Sequence, residues 1–94
     1  MSFKWLNKQG VESSEGYVLQ RMHRFYYYYT EGECVMQIDV ESSIKCTVIY
    51  MDQKAKWLPP HDSETIQPQR LADIQRKVSA ALDFMETPHI FKNK

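Results

Sequence analysis

From Leu71 to Met85 the apolar residues Leu71, Ile74, Val78, Ala81, Leu82 and Met85 recur every three or four positions, the spacing that gathers side chains on one stripe of an α-helix. Arg70, Asp73, Gln75, Arg76, Lys77, Ser79, Asp83 and Glu86 fill the opposite side, and Asp73 and Lys77 form a favourably oriented i,i+4 pair. Pro68 suits the first helical turn, where its missing N–H would be unpaired anyway, and Pro88 prevents continuation beyond Thr87. These signals predict a helix over roughly 68–86. A helix with one apolar stripe needs an apolar surface to cover, and everything before it reads as β.

Short strands are expected over Phe3 to Leu6, Val11 to Ser13, Tyr17 to Met22 and Phe25 to Tyr29, separated by turns at Asn7–Gly10, Glu15–Gly16 and Thr30–Gly32. The clearest run is Glu33 to Val40, which alternates Cys34, Met36, Ile38 and Val40 against Glu33, Val35, Gln37 and Asp39. After a turn at Glu41–Ser43, Ile44, Cys46, Val48 and Tyr50 alternate onto the expected core face. A last strand around Lys54 to Leu58 ends at Pro59-Pro60. The fold class expected is α+β: an antiparallel meander of five or six strands with one C-terminal helix packed on the face bearing Cys34, Met36, Ile38, Cys46 and Val48. Residues 87–94 are expected to be a tail.

The 94 residues are enough for one domain, 1–94. At that size only about 60–65% of the unfolded surface is buried, which leaves little core to spare for a deep catalytic cleft. Twelve basic residues balance twelve acidic ones, removing the general attraction that nucleic acids or anionic membranes require. The balance is uneven along the chain. Residues 31–43 hold Glu31, Glu33, Asp39 and Glu41 with no Lys or Arg, whereas the first thirty hold four basic and two acidic residues. No apolar run approaches the ~18 residues of a membrane span, and the N-terminus has no signal-peptide core, so a cytoplasmic location is expected.

No constellation for chemistry emerges, and the expected catalytic, metal and cofactor sites are none. His23, His61 and His89 are far apart, without His-x-x-x-His or Cys-x-x-Cys spacing. His61-Asp62 is an acid–base pair lacking a nucleophile. Gly10, Gly16 and Gly32 are isolated turn residues and not a phosphate loop. If Ile38 faces Cys46, then Cys34 lies four residues farther on, roughly 13 Å away and beyond the ~7 Å that a disulfide spans. Both cysteines are expected to be free, buried thiols. Trp57-Leu58-Pro59-Pro60 reads as a rigid corner that drops Trp57 onto the helix, in preference to a proline-rich ligand.

The run Tyr26-Tyr27-Tyr28-Tyr29 is unusual, because strand alternation must send one pair away from the helix. That pair could close a satellite cluster with Phe3 and Trp5, stack nucleic-acid bases, or anchor a protein interface, where tyrosine is enriched. Arg21 and Arg24 favour bases. The neutral charge and the acids on the adjoining strand weigh against them and favour protein.

The order of features from Glu33 to Glu86 resembles small immunity proteins of bacterial polymorphic-toxin and contact-dependent growth-inhibition systems: a β-meander, the corner Trp57-Leu58-Pro59-Pro60-His61-Asp62, Ile66 shortly before a helix, and a helix ending Ala80-Ala81-Leu82-Asp83-Phe84. The shared residues are architectural, and no binding residue carries over from them. The resemblance implies a cytosolic antitoxin without chemistry of its own, which binds a cognate toxin domain, often a nuclease. The residues themselves supply the expected contact set: Glu31, Glu33, Asp39 and Glu41 with Tyr26, Tyr27, Tyr28 and Tyr29, of which one tyrosine pair faces outward. Ordinary solvated turn and strand acids are the plainer reading of the four carboxylates. Two other classes fit as well, a nucleic-acid-binding module using the tyrosines with Arg21, Arg24 and Lys45, and a structural subunit that dimerises through the same face.

Overall fold

The computed structural model describes residues 2–52 and 55–93. Its β-rich first half follows the turn chemistry of the chain. Strands β1 (Phe3–Asn7), β2 (Gly10–Ser13), β3 (Tyr17–His23), β4 (Tyr26–Glu31), β5 (Cys34–Ser42) and β6 (Thr47–Tyr50) each pair antiparallel with the next. The β4–β5 hairpin closes through Gly32 and Glu33, with Glu31 opposite Cys34. Gly32 takes a φ of 62°, the left-handed value that the first position of a tight hairpin turn demands and that a residue with a Cβ resists.

Helix α1 (Pro68–Phe84) follows, and then a seventh strand, β7 (His89–Lys92), lies parallel to β6. The architecture is α+β, and the sheet has seven strands in the order β1 to β7, more than the five or six expected from sequence. The residues read as a tail supply the extra one. His-Ile-Phe-Lys is too short a run, isolated behind Pro88, to announce itself, but Thr47 N–H donates to the Pro88 carbonyl at 2.9 Å and seats it along β6. The strand expected at Lys54 to Leu58 is reduced to a single bridge, Trp57 opposite Met36, with residues 53 and 54 outside the described residues.

The helix starts at Pro68 as expected and ends within two residues of the predicted boundary. Glu86 adopts a φ of 56°, while Glu86 N–H donates to the Asp83 carbonyl (3.0 Å) and Thr87 N–H to that of Leu82 (2.9 Å). These paired bonds satisfy the last carbonyls and turn the chain toward β7. The predicted stripe is the buried one: Leu71, Ile74, Val78, Ala81 and Leu82 join the core with Val11, Leu19, Tyr29, Met36, Ile38, Val40 and Ile49.

The expected core face holds for Met36, Ile38 and Val40 but fails in β6. The turn before β6 is longer than the Glu41–Ser43 bend predicted: Ser43 N–H and Oγ both donate to the Cys46 carbonyl (2.9 and 2.7 Å), leaving Ile44 and Lys45 at the tip. Val40 therefore faces Ile49 and not Ile44. The register differs by an odd number of residues, which inverts every side chain of the strand. Ile49 and Met51 enter the core, Ile44 is fully exposed, and Cys46, Val48 and Tyr50 are only partly buried. Cys34 and Cys46 are free as expected, although each is partly exposed where burial was predicted.

Because Ile74 has no exposed surface, Ile74→Ala should lower stability by roughly 2–5 kcal/mol through the cavity it leaves. The urea midpoint measures it, and an unchanged midpoint would contradict the helix placement.

Candidate protein-binding face

Pairing in register carries side chains across the sheet in rows. One row on the helix side runs Trp5, Val11, Leu19, Tyr29, Met36 and Trp57. The pleat puts the rows between on the other face, which the helix does not cover: Gly10, Gln20, Tyr28 and Gln37 in one, and Tyr26, Asp39, Tyr50 and Lys92 in the next. Glu41 pairs with Val48 and Val48 with Ile90 in a third.

This geometry divides the predicted contact set. Tyr26, Tyr28, Asp39 and Glu41 share the open face. Tyr27 and Tyr29 are buried under the helix, and burial raises the pKa of both phenols. The Tyr29 ring lies 5.6 Å from that of Tyr17 and 6.3 Å from that of Trp57. Its hydroxyl donates to Glu31 at 2.6 Å, so the phenol remains satisfied although desolvated. Glu31 is thereby removed from the contact set as well. Its carboxylate takes Arg70 and, at 3.1 Å, Lys77, whose side chain is 14% exposed. Asp73 extends the network to Lys77 (3.1 Å) and Arg76 (2.9 Å). These acids clamp the hairpin end of β4 to the first turns of α1. Glu33 stands exposed in the Gly32-Glu33 turn, six residues and about 20 Å along β5 from Asp39. Four acids that are neighbours in sequence thus fall into three environments.

On the open face the Tyr26 and Tyr28 rings lie 5.7 Å apart, and His23 stacks on Tyr26 at 5.5 Å. Tyr50 donates its hydroxyl to Glu41 at 2.8 Å, and holding that proton against a carboxylate raises the phenol's pKa. Phe25, Tyr26, Asp39, Glu41 and Tyr50 line a shallow depression here. Tyr50 and Phe25 were not foreseen as contact residues. Tyr50 had been placed in the core by the wrong β6 register, and the exposed Phe25 by its inclusion in a strand it only precedes. The basic residues proposed for nucleic acid are divided: Arg21 pairs with Tyr27 in a helix-side row, whereas the Arg24 guanidinium sits 4.8 Å over the Phe25 ring at the edge of the tyrosine face.

His61 meets Glu64 in place of the Asp62 partner expected from sequence, with the Cys34 thiol nearby. His89 contacts Ser79 Oγ (2.7 Å) and the Thr87 carbonyl (2.9 Å), fixing β7 to the helix. The corner sets Trp57 where Arg70 covers its ring at 6.0 Å. Among the described residues no helix is long and apolar enough to cross a membrane. Comparison with protein-family models, with curated proteins and with solved structures finds no match to this chain.

The Arg76 and Lys77 hydrogen bonds lower the pKa of Asp73. A carboxylate whose folded pKa lies below its unfolded value, about 3.9, contributes stability above that value and loses it as pH falls through the folded one. Wild type should therefore exceed Asp73→Asn in stability at neutral pH, with the gap closing as pH falls below about 4. Urea unfolding from neutral to acidic pH measures the gap, and a constant difference would contradict the pairing.

Proposed function

We propose that the protein is an immunity-type inhibitor: a cytosolic binding protein without catalysis of its own that neutralises a basic toxin domain on the uncovered face of its sheet. The observation that carries this reading is the convergence of Tyr26 and Tyr50 with Asp39 and Glu41 around one shallow depression, with the Tyr28 ring beside that of Tyr26 on the same face. Tyrosines give large amphipathic contact area at small conformational cost. Carboxylates beside them favour a cationic surface and speed its encounter. The toxin-binding set is accordingly refined to Tyr26, Tyr28, Tyr50, Asp39 and Glu41, with Tyr27, Tyr29 and Glu31 as the packing and ion pairs that hold this face in shape. The sequence resemblance to immunity proteins, in the corner and the helix after it, is in keeping with the same reading.

The acids on the tyrosine face and the removal of Arg21 to the helix side favour a protein partner over nucleic acid.

Coexpression with the toxin encoded beside this protein tests the proposal. Wild type should protect cells. Tyr26→Ala combined with Tyr28→Ala should weaken binding by about 2 kcal/mol or more, roughly thirtyfold, and Asp39→Lys with Glu41→Lys should slow association and reverse its salt dependence. Folded variants that bind as wild type does would show the surface to be wrong, and failure of wild type to protect would end the antitoxin reading.

A further inference from the structure

Away from the tyrosine face, Cys34, His61 and Glu64 bring a sulfur, an imidazole nitrogen and a carboxylate oxygen within 4.8 Å of one another. Short-range spacing gives no hint of the sulfur's part in this, since Cys34 opens β5 and the i,i+3 pair His61 and Glu64 lies beyond the proline corner. Backbone bonds make the meeting. Leu58 N–H donates to the Val35 carbonyl at 2.6 Å and lays the corner beside the start of β5. The chain then folds through two successive tight turns, His61 N–H to the Leu58 carbonyl and Glu64 N–H to the His61 carbonyl, both at 3.1 Å. The second places residues i and i+3 side by side, and His61 Nδ1 meets the Glu64 carboxylate there.

We propose that Cys34, His61 and Glu64 form a binding site for a first-row divalent cation of the zinc class. Thiolate, imidazole and carboxylate are the three ligand types that zinc takes, at about 2.3, 2.0–2.1 and 2.0–2.2 Å respectively. A tetrahedral ion at those bond lengths needs ligand atoms about 3.4–3.7 Å apart, so the His61 and Glu64 atoms, now in direct hydrogen-bond contact, move apart to admit it while the Cys34 sulfur lies within side-chain reach of both. The mixed sulfur, nitrogen and oxygen set disfavours magnesium and calcium, which take oxygen. Three protein ligands would leave one tetrahedral position open, and the Glu64 side chain, 55% exposed, leaves the site accessible to solvent. Water would fill that position.

The ion would cross-link the first residue of β5 to the loop that leads into α1, fastening the segment between Trp57 and Pro68 to the sheet. This site is separate from the tyrosine face, and its test does not depend on any partner. Among the described residues Cys46 has no such surroundings: its sulfur lies 3.9 Å from Ser43 Oγ in the β5–β6 turn, and it is a built-in control.

Untagged, fully reduced protein should be titrated with Co2+ alone and then with Zn2+. The expected result is a near-ultraviolet thiolate-to-cobalt charge-transfer band that saturates at one Co2+ per chain, bleaches when Zn2+ displaces the cobalt, persists in Cys46→Ser and is lost in Cys34→Ser. Glu64→Gln, at an exposed position where folding is undisturbed, should weaken Co2+ binding by more than the roughly 10–100-fold that loss of an outer-shell partner costs. His61→Gln should do the same. No band in folded wild type overturns the proposal, as does a band that survives in Cys34→Ser or disappears in Cys46→Ser. If Cys34→Ser does not fold, Glu64→Gln and His61→Gln decide: unchanged Co2+ affinity in both overturns the site, and weakened affinity in both supports it.

Discussion

A sheet has two faces, and this chain has a single helix with which to cover one of them. Strand alternation decides which residues are covered. Once Tyr29, Met36 and Leu19 pair in one row and accept the stripe of Ile74, Val78 and Leu82, the pleat forces Tyr28, Gln37 and Gln20 to the other side. The same step removes Tyr27 and Tyr29 from any surface role and leaves Tyr26 and Tyr28 as the available pair. It also turns Glu31 inward, where Arg70 and Lys77 neutralise it, while Asp39 and Glu41 turn outward. The candidate interface follows from helix packing; it is not an addition to it.

That dependence also explains which readings the sequence permitted. The helix was legible because two prolines bracket an uninterrupted apolar stripe, and β5 was legible because four apolar residues alternate without a break. The division of the tyrosine run into pairs was legible too, although alternation alone cannot say which pair faces the helix. Pairing with Ile38 and Met36 supplies that choice for Tyr27 and Tyr29. The phase of β6 was not legible. It rests on hydrogen bonds between Ser43 and Cys46, and a turn of different length inverts the strand while leaving its composition untouched. Tyr50 was misassigned with it. β7 was missed because four residues gain strand character only from a neighbour already in place.

The acids teach a related point. Crowding of Glu31, Glu33, Asp39 and Glu41 into thirteen residues suggested one patch, but a hairpin turn and a period of two distribute neighbours to different faces and ends. Conversely, Cys34 is far in sequence from His61 and Glu64, which share one turn, and adjacent to them in space. Local spacing rules detect ligands carried by one helix or loop; they have no purchase on a triad assembled by a strand and a distant corner.

The central claim is that the partner meets the uncovered face through its aromatic residues, and the alternating tyrosines provide their own reporters. With ring-labelled tyrosine, NMR spectra of the protein alone and bound to the neighbouring toxin domain should show large shifts for Tyr26, Tyr28 and Tyr50. Tyr17, Tyr27 and Tyr29, held beneath the helix, should keep their positions. A bound complex in which Tyr26, Tyr28 and Tyr50 do not move would contradict the account.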